Sequence, residues 1–82
     1  MDHVLLVETI IKLIVTDVEA VSVKEYESTE DNLIHLEALV SENDLGRVIG
    51  KNGQTIKSIR NIVQASAVLN GNKKIKIDVD SY

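Results

Sequence analysis

Eighty-two residues are enough for one small domain with one core, and a hydrophobic share of 44% is ordinary for a globular chain. There is no Cys, which excludes a disulfide framework and a thiolate metal site, and His3 and His35 alone make no zinc site, so neither metal nor cofactor is expected. No apolar run approaches the roughly 18 residues of a membrane span, and Met1-Asp2-His3 is not the basic start of a secretory signal; the expectation is a cytoplasmic chain with no membrane partner. With Tyr26 and Tyr82 as the only Phe, Trp or Tyr residues, a module that works by stacking bases on aromatic rings is disfavoured.

The net charge of −4 conceals a division. Residues 1–44 carry eleven acids against Lys12 and Lys24, a net of −9, whereas residues 45–77 carry seven bases and no acid. Blocks of this kind either solvate one face or meet a polyanionic partner.

Residues 4–15 read as a helix, with Val4, Val7, Ile11 and Ile14 in one stripe widened by Leu6, Ile10 and Leu13, and with Glu8 and Lys12 at i,i+4 spacing. The apolar arc spans roughly 200°, about twice what one core contact needs. Either the helix is deeply seated or it offers a second contact surface, such as a dimer interface. Residues 18–27, rich in Val, read as a strand, and Ser28-Thr29-Glu30-Asp31-Asn32 as a turn. A second strand over 33–40 places Ile34, Leu36, Ala38 and Val40 on one side and His35 and Glu37 on the other, so the two strands form an antiparallel hairpin.

Ser41 to Asp44 resembles a helix-capping start, followed by a short helix to about Ile49. A longer helix from about Gln54 to Leu69 carries a stripe of Ile56, Ile59, Val63 and Ala67, with Lys57, Arg60 and Gln64 together on its flank. Asn70-Gly71-Asn72 ends it by C-cap chemistry. Residues 73–80 alternate as a third strand, Ile75, Ile77 and Val79 inward. A two-helix crossover is long enough to bring this strand parallel to the second. The order is α-β-β-α-α-β: an α+β fold with a three-stranded mixed sheet covered on one face by three helices.

Between the two later helices stands Gly50-Lys51-Asn52-Gly53. Two Gly at this spacing make a tight turn and strip Cβ atoms from its surface, so that another backbone can approach. The turn also delivers the free N–H groups and partial positive end of the following helix, where an anion fits, and Lys51 adds a formal charge. Alone, such a spacing is also what a plain helix–helix turn looks like.

In context, Val48-Ile49 before the loop and Ile56 after it give V-I-G-x-x-G-x-x-I, which resembles the KH domain, whose G-x-x-G loop joins two helices and clamps the backbone of about four nucleotides. The element order is similar to the type II arrangement of that family. The longer string Leu45-Gly46-Arg47-Val48-Ile49-Gly50-Lys51-Asn52-Gly53-Gln54-Thr55-Ile56-Lys57-Ser58-Ile59-Arg60 resembles the small stand-alone bacterial KH proteins of the KhpA/YlqC family. The similarity spans the chain, so 1–82 is expected to be a single type II KH domain.

The resemblance implies a single-stranded RNA-binding protein and a site. Gly50, Lys51, Asn52 and Gly53 would hold the sugar-phosphate backbone. Arg47, Lys57 and Arg60 would extend a positive rim, and Val48, Ile49 and Ile56 would floor an aliphatic groove for the bases. Lys73, Lys74 and Lys76 would edge the groove from the third strand, the alternative being a solvated strand face. It also implies a post-transcriptional regulator or RNA chaperone, with links to cell shape and cell-wall regulation. The partners implied are a second copy of the chain and a larger KH- and R3H-containing protein; a dimerisation subunit whose own groove is secondary is the alternative. Two departures stand out: Thr16-Asp17-Val18 where the family often has Pro, and Asn52 where a second base would strengthen the loop.

Enzyme chemistries fail on spacing. Gly46 to Asn52 misses a nucleotide P-loop by one residue between its Gly and by Asn52 in place of Ser or Thr, and G-x-G-x-x-G is absent. No carboxylate spacing singles out an acid/base pair, and His35 is expected on an exposed strand face. No catalytic residue is assigned.

Overall fold

A computed structural model describes residues 2–26, 32–69, 71 and 74–82. Asp2 starts α1 (His3–Lys12): its carboxylate accepts the Val4 and Leu5 amides at 2.9 and 3.5 Å, supplying partners to two donors that a helix start leaves orphaned. Lys12 donates to Glu8 one turn back at 2.7 Å. Val7 and Ile11 are fully buried, while Leu5 and Leu13 stand 57% and 83% exposed.

The helix stops at Lys12 rather than at 15, and residues 18–20, read from sequence as strand, form a 3-10 turn (Val18–Ala20). The cause is tertiary. The amides of Thr16 and Asp17 both donate to the Asp44 carboxylate at 3.0 Å, which pins this corner and removes those donors from any helix or ladder. The first strand, β1 (Ser22–Tyr26), therefore starts four residues later than its Val content suggests.

β1 pairs antiparallel with β2 (Leu33–Val40), Val23 opposite Ala38, and β2 pairs parallel with β3 (Lys74–Ser81), Ile77 opposite Leu36. The order β1-β2-β3 makes β2 central and β3 an edge. β2 has the bounds its alternation predicts, with Ile34, Leu36, Ala38 and Val40 all buried. Between β2 and β3 run α2 (Glu42–Ile49) and α3 (Gln54–Leu69). Ile56, Ile59, Val63 and Ala67 of α3 are buried, the stripe read from their spacing. Ile56, Ile59 and Val63 close over β2 and β3 with Val7, Ile11 and Val48 in one cluster. Each such side chain taken out of water stabilises the fold by about 1.5–3 kcal/mol.

The sheet face away from the helices is polar. There His35 is half-buried rather than exposed, its Nε2 lying 2.8 Å from Asp78 Oδ2, because β3 brings a carboxylate alongside. The Tyr26 hydroxyl donates to Glu37 at 3.2 Å, and that carboxylate's charge pushes the phenol above its ordinary pKa of 10. Of the two expected turns, residues 28–31, 70 and 72 lie outside the described residues; Asn32 and Gly71 have positive φ of 65° and 132°, as turn residues do.

Candidate functional site

α2 carries Glu42 and Asp44 in its first turn and Arg47 in its last, the charge order that suits its dipole. Gly50 ends it, donating its N–H to Gly46 O at 2.8 Å. The chain then turns through Gly50 (φ 78°), Asn52 (φ 56°) and Gly53 (φ 74°) before α3 begins at Gln54. Gly50 has a steric reason besides its handedness: a Cβ there would stand 2.7 Å from Thr55 Cβ and 2.9 Å from Thr55 N, a collision with the start of α3. Asn52 suits its position because its short side chain tolerates the left-handed region. Lys51 and Asn52 are exposed at the tip. The first turn of α3 holds no acid, so nothing of its own competes for the positive helix end.

The outer end of α2 is built differently. Asp44 is 1% exposed, and its carboxylate accepts the Thr16 amide (3.0 Å) and hydroxyl (2.9 Å), the Asp17 amide (3.0 Å) and the Ser41 hydroxyl (2.9 Å). The Thr16 and Asp17 amides, then the two hydroxyls, hold its carboxyl at about 2, below the ordinary 3.8, against the opposing push of burial. Ser41 thus caps nothing itself; it donates to the acid three residues on. Sequence reasoning saw a capping start here but not the clasp, since Thr16 and Asp17 are 28 and 27 residues away.

The expected rim assembles in part. Arg47, its side chain 58% exposed, lies 3.8 Å from Asp44 Oδ1, and Lys57 is exposed on α3. Arg60 is not a free rim cation: its Nε and Nη2 donate to Ile77 O at 3.3 and 3.0 Å, tying it to β3. The expected groove floor needs correction. Val48 is wholly buried and Ile56 is 7% exposed, because both face the sheet and serve the core; Ile49 alone of the three is half-exposed. Lys74 and Lys76 are exposed and stand as the alternative reading has them, on a solvated strand face. They alternate with Ile75 and Ile77, so their side chains leave the sheet on the face opposite the helices. Lys73 lies outside the described residues.

What the sequence did not assign is the edge of β3. Lys74 N–H donates to Asn32 O and Tyr82 N–H to Val40 O, so even-numbered residues face β2 and the main chain of Ile75, Ile77 and Val79 turns outward. Gln64 Oε1 accepts the Ile75 amide at 3.0 Å, one helical turn beyond Arg60 on Ile77. Their i,i+4 spacing on one flank of α3 was the available signal; that the flank faces a strand edge was not.

An α-β-β-α-α-β fold whose second and third helices meet at a glycine turn defines a KH domain. The family model described as "KhpA/KhpB, KH domain" matches residues 5–79. The chain is 43% identical over 74 residues to the RNA-binding protein KhpA of Clostridium perfringens, covering 90% of this chain and 95% of that one. To KhpA of Oceanobacillus iheyensis it is 38% identical with the same coverage, and to KhpA of Thermotoga maritima 40%, covering 93% of that protein. Among solved structures, Era of Aquifex aeolicus bound to GDP and aluminium fluoride superposes with a TM-score of 0.71 at 20% identity, over 96% of this chain and 29% of Era. Era with MgGDPNP and nucleotides 1506–1542 of 16S ribosomal RNA gives 0.69 at 19%, over the same shares. The chain belongs to the KhpA/KhpB KH-domain family, which is not an enzyme family.

Proposed function

We propose that this chain binds single-stranded RNA, the Gly50–Gly53 turn receiving the sugar-phosphate backbone. The observation that carries the reading is the turn itself: an acid-free helix start, two glycines, and exposed Lys51 and Asn52 at one corner of a fold whose relatives are named RNA-binding proteins. The Gly53 and Gln54 amides already donate to Gly50 O and Lys51 O, so a phosphate there meets chiefly the positive helix end and the Lys51 ammonium. Arg47 and Lys57 lie on the two helices flanking the turn and extend the field along the strand. Residues 1–82 act as one cytoplasmic module, a post-transcriptional regulator or RNA chaperone.

The test is the double change Lys51→Asp with Asn52→Asp. RNA affinity falls by at least about tenfold, since two negative charges replace one positive where a phosphate sits, while the circular dichroism spectrum is unchanged. In the wild type, log affinity falls with log salt at about −0.7 per phosphate neutralised. Wild-type affinity in the double variant would remove the loop from the account.

A second reading, an interaction subunit that pairs with itself or with a larger KH/R3H-type protein, is favoured by one observation. Leu5 of α1, Leu13 just beyond it, and Ile62, Val68 and Leu69 of α3 are all more than half exposed, and the two helices touch each other. Pairing would add avidity to weak single grooves. Light scattering of the purified chain gives twice the monomer mass if this holds and the monomer mass at all concentrations if it does not.

A further inference from the structure

We infer that Arg60 selects the base beside β3, by presenting a fixed pair of N–H donors that only guanine or cytosine can match. This rests on the RNA-binding reading of the adjacent loop. An arginine carries five donors in a rigid planar fork. Here the side edge of the fork, Nε–H and one Nη2–H, is spent on the Ile77 carbonyl. That carbonyl belongs to the outward-facing set on β3 and cannot be taken by β2. The end edge of the fork, Nη1–H with the other Nη2–H, has no partner among the described residues, and the residue is exposed. Gln64 holds the next outward group, the Ile75 amide, so the seam between α3 and β3 is fastened at two successive points and the guanidinium does not swing freely.

Two parallel donors at fixed separation fit two adjacent acceptors. Guanine offers O6 and N7, and cytosine offers O2 and N3. Adenine places its amino donor beside N7, and uracil places N3–H between its two carbonyls, so each sets a donor against one of the Arg60 donors and leaves it unpaired. A phosphate also offers two acceptors, but the loop that receives the backbone lies at the start of α3. Arg60 lies nearly two turns further along, fastened to the strand edge. Beyond it, the outward-turned Val79 N–H and C=O have no hydrogen-bond partner among the described residues.

The experiment is fluorescence anisotropy with labelled eight-nucleotide RNAs: all-U, and the same tract with a single central C, G or A. The wild type binds the C- or G-bearing RNA at least about fivefold tighter than the other two, the lower end of what one bidentate pair discriminates, and the two arms tell guanine from cytosine. Arg60→Lys keeps the charge and loses the fork. It brings the affinities for all four RNAs together, so the C- or G-preference of at least about fivefold is lost, with an unchanged circular dichroism spectrum. Equal binding of all four RNAs by the wild type overturns the inference. So does an Arg60→Lys variant that weakens all four alike with the salt slope reduced by about 0.7, which is the behaviour of a phosphate contact. If the wild type binds none of them, the RNA reading itself fails and takes this inference with it.

Discussion

The two ends of α2 treat polar groups in opposite ways. At the N-terminal end a buried carboxylate gathers two amides and two hydroxyls from three residues. At the C-terminal end the backbone leaves the helix through left-handed residues, with exposed side chains at the tip and no acid to fill the next helix start. The first end is satisfied from within, so it anchors. The second closes only on its own backbone, Gly50 N–H on Gly46 O and Gly53 N–H on Gly50 O, and leaves its side chains in solvent. A short helix of eight residues can hold an open loop in place because its other end is clasped to α1's exit.

Breaking the clasp has the largest effect. Asp44→Ala strands four donors at a buried corner and lowers the melting temperature by on the order of 15 °C or more, read by thermal denaturation. Gly50→Ala attacks the other end. It forces a side chain into the left-handed region and against Thr55, which costs roughly 2 kcal/mol or a melting shift of about 8–10 °C. It also displaces the loop, so RNA affinity falls further than stability does. The mildest probe is acid. Because the folded Asp44 carboxyl sits at about 2 and the unfolded one near 3.8, its stabilisation is complete above about pH 4 and is lost as pH falls toward 2. Thermal melts change little from this group between pH 7 and 5 and fall steeply below 4; in Asp44→Asn the steep part flattens.

These contrasts also mark what the chain discloses before folding. β2 and α3 were legible to the residue, because each buries a strict stripe and local period decides their faces. The loop was legible because its glycines have a local cause. The corner at 13–21 was not, since Val18 and Val21 read as strand until Asp44 claims the amides of Thr16 and Asp17. Val48 was read as groove floor, whereas it lies wholly in the core, for a related reason. Spacing gives a residue its side of an element, but only the packing of α2 and β3 says whether that side meets the core, the groove or the open sheet. Arg60 was visible as a base near the site; that it is fastened to a strand carbonyl depends on where β3 runs.

Three of the four loop residues carry positive φ, and Lys51 alone does not. Handedness thus restricts 52 and 53 to glycine or a short amide, the Thr55 contact holds 50 to glycine, and one position is left without a handedness constraint. The charge carried at this corner can therefore be dialled through a single codon, up or down, without redrawing the path of the chain.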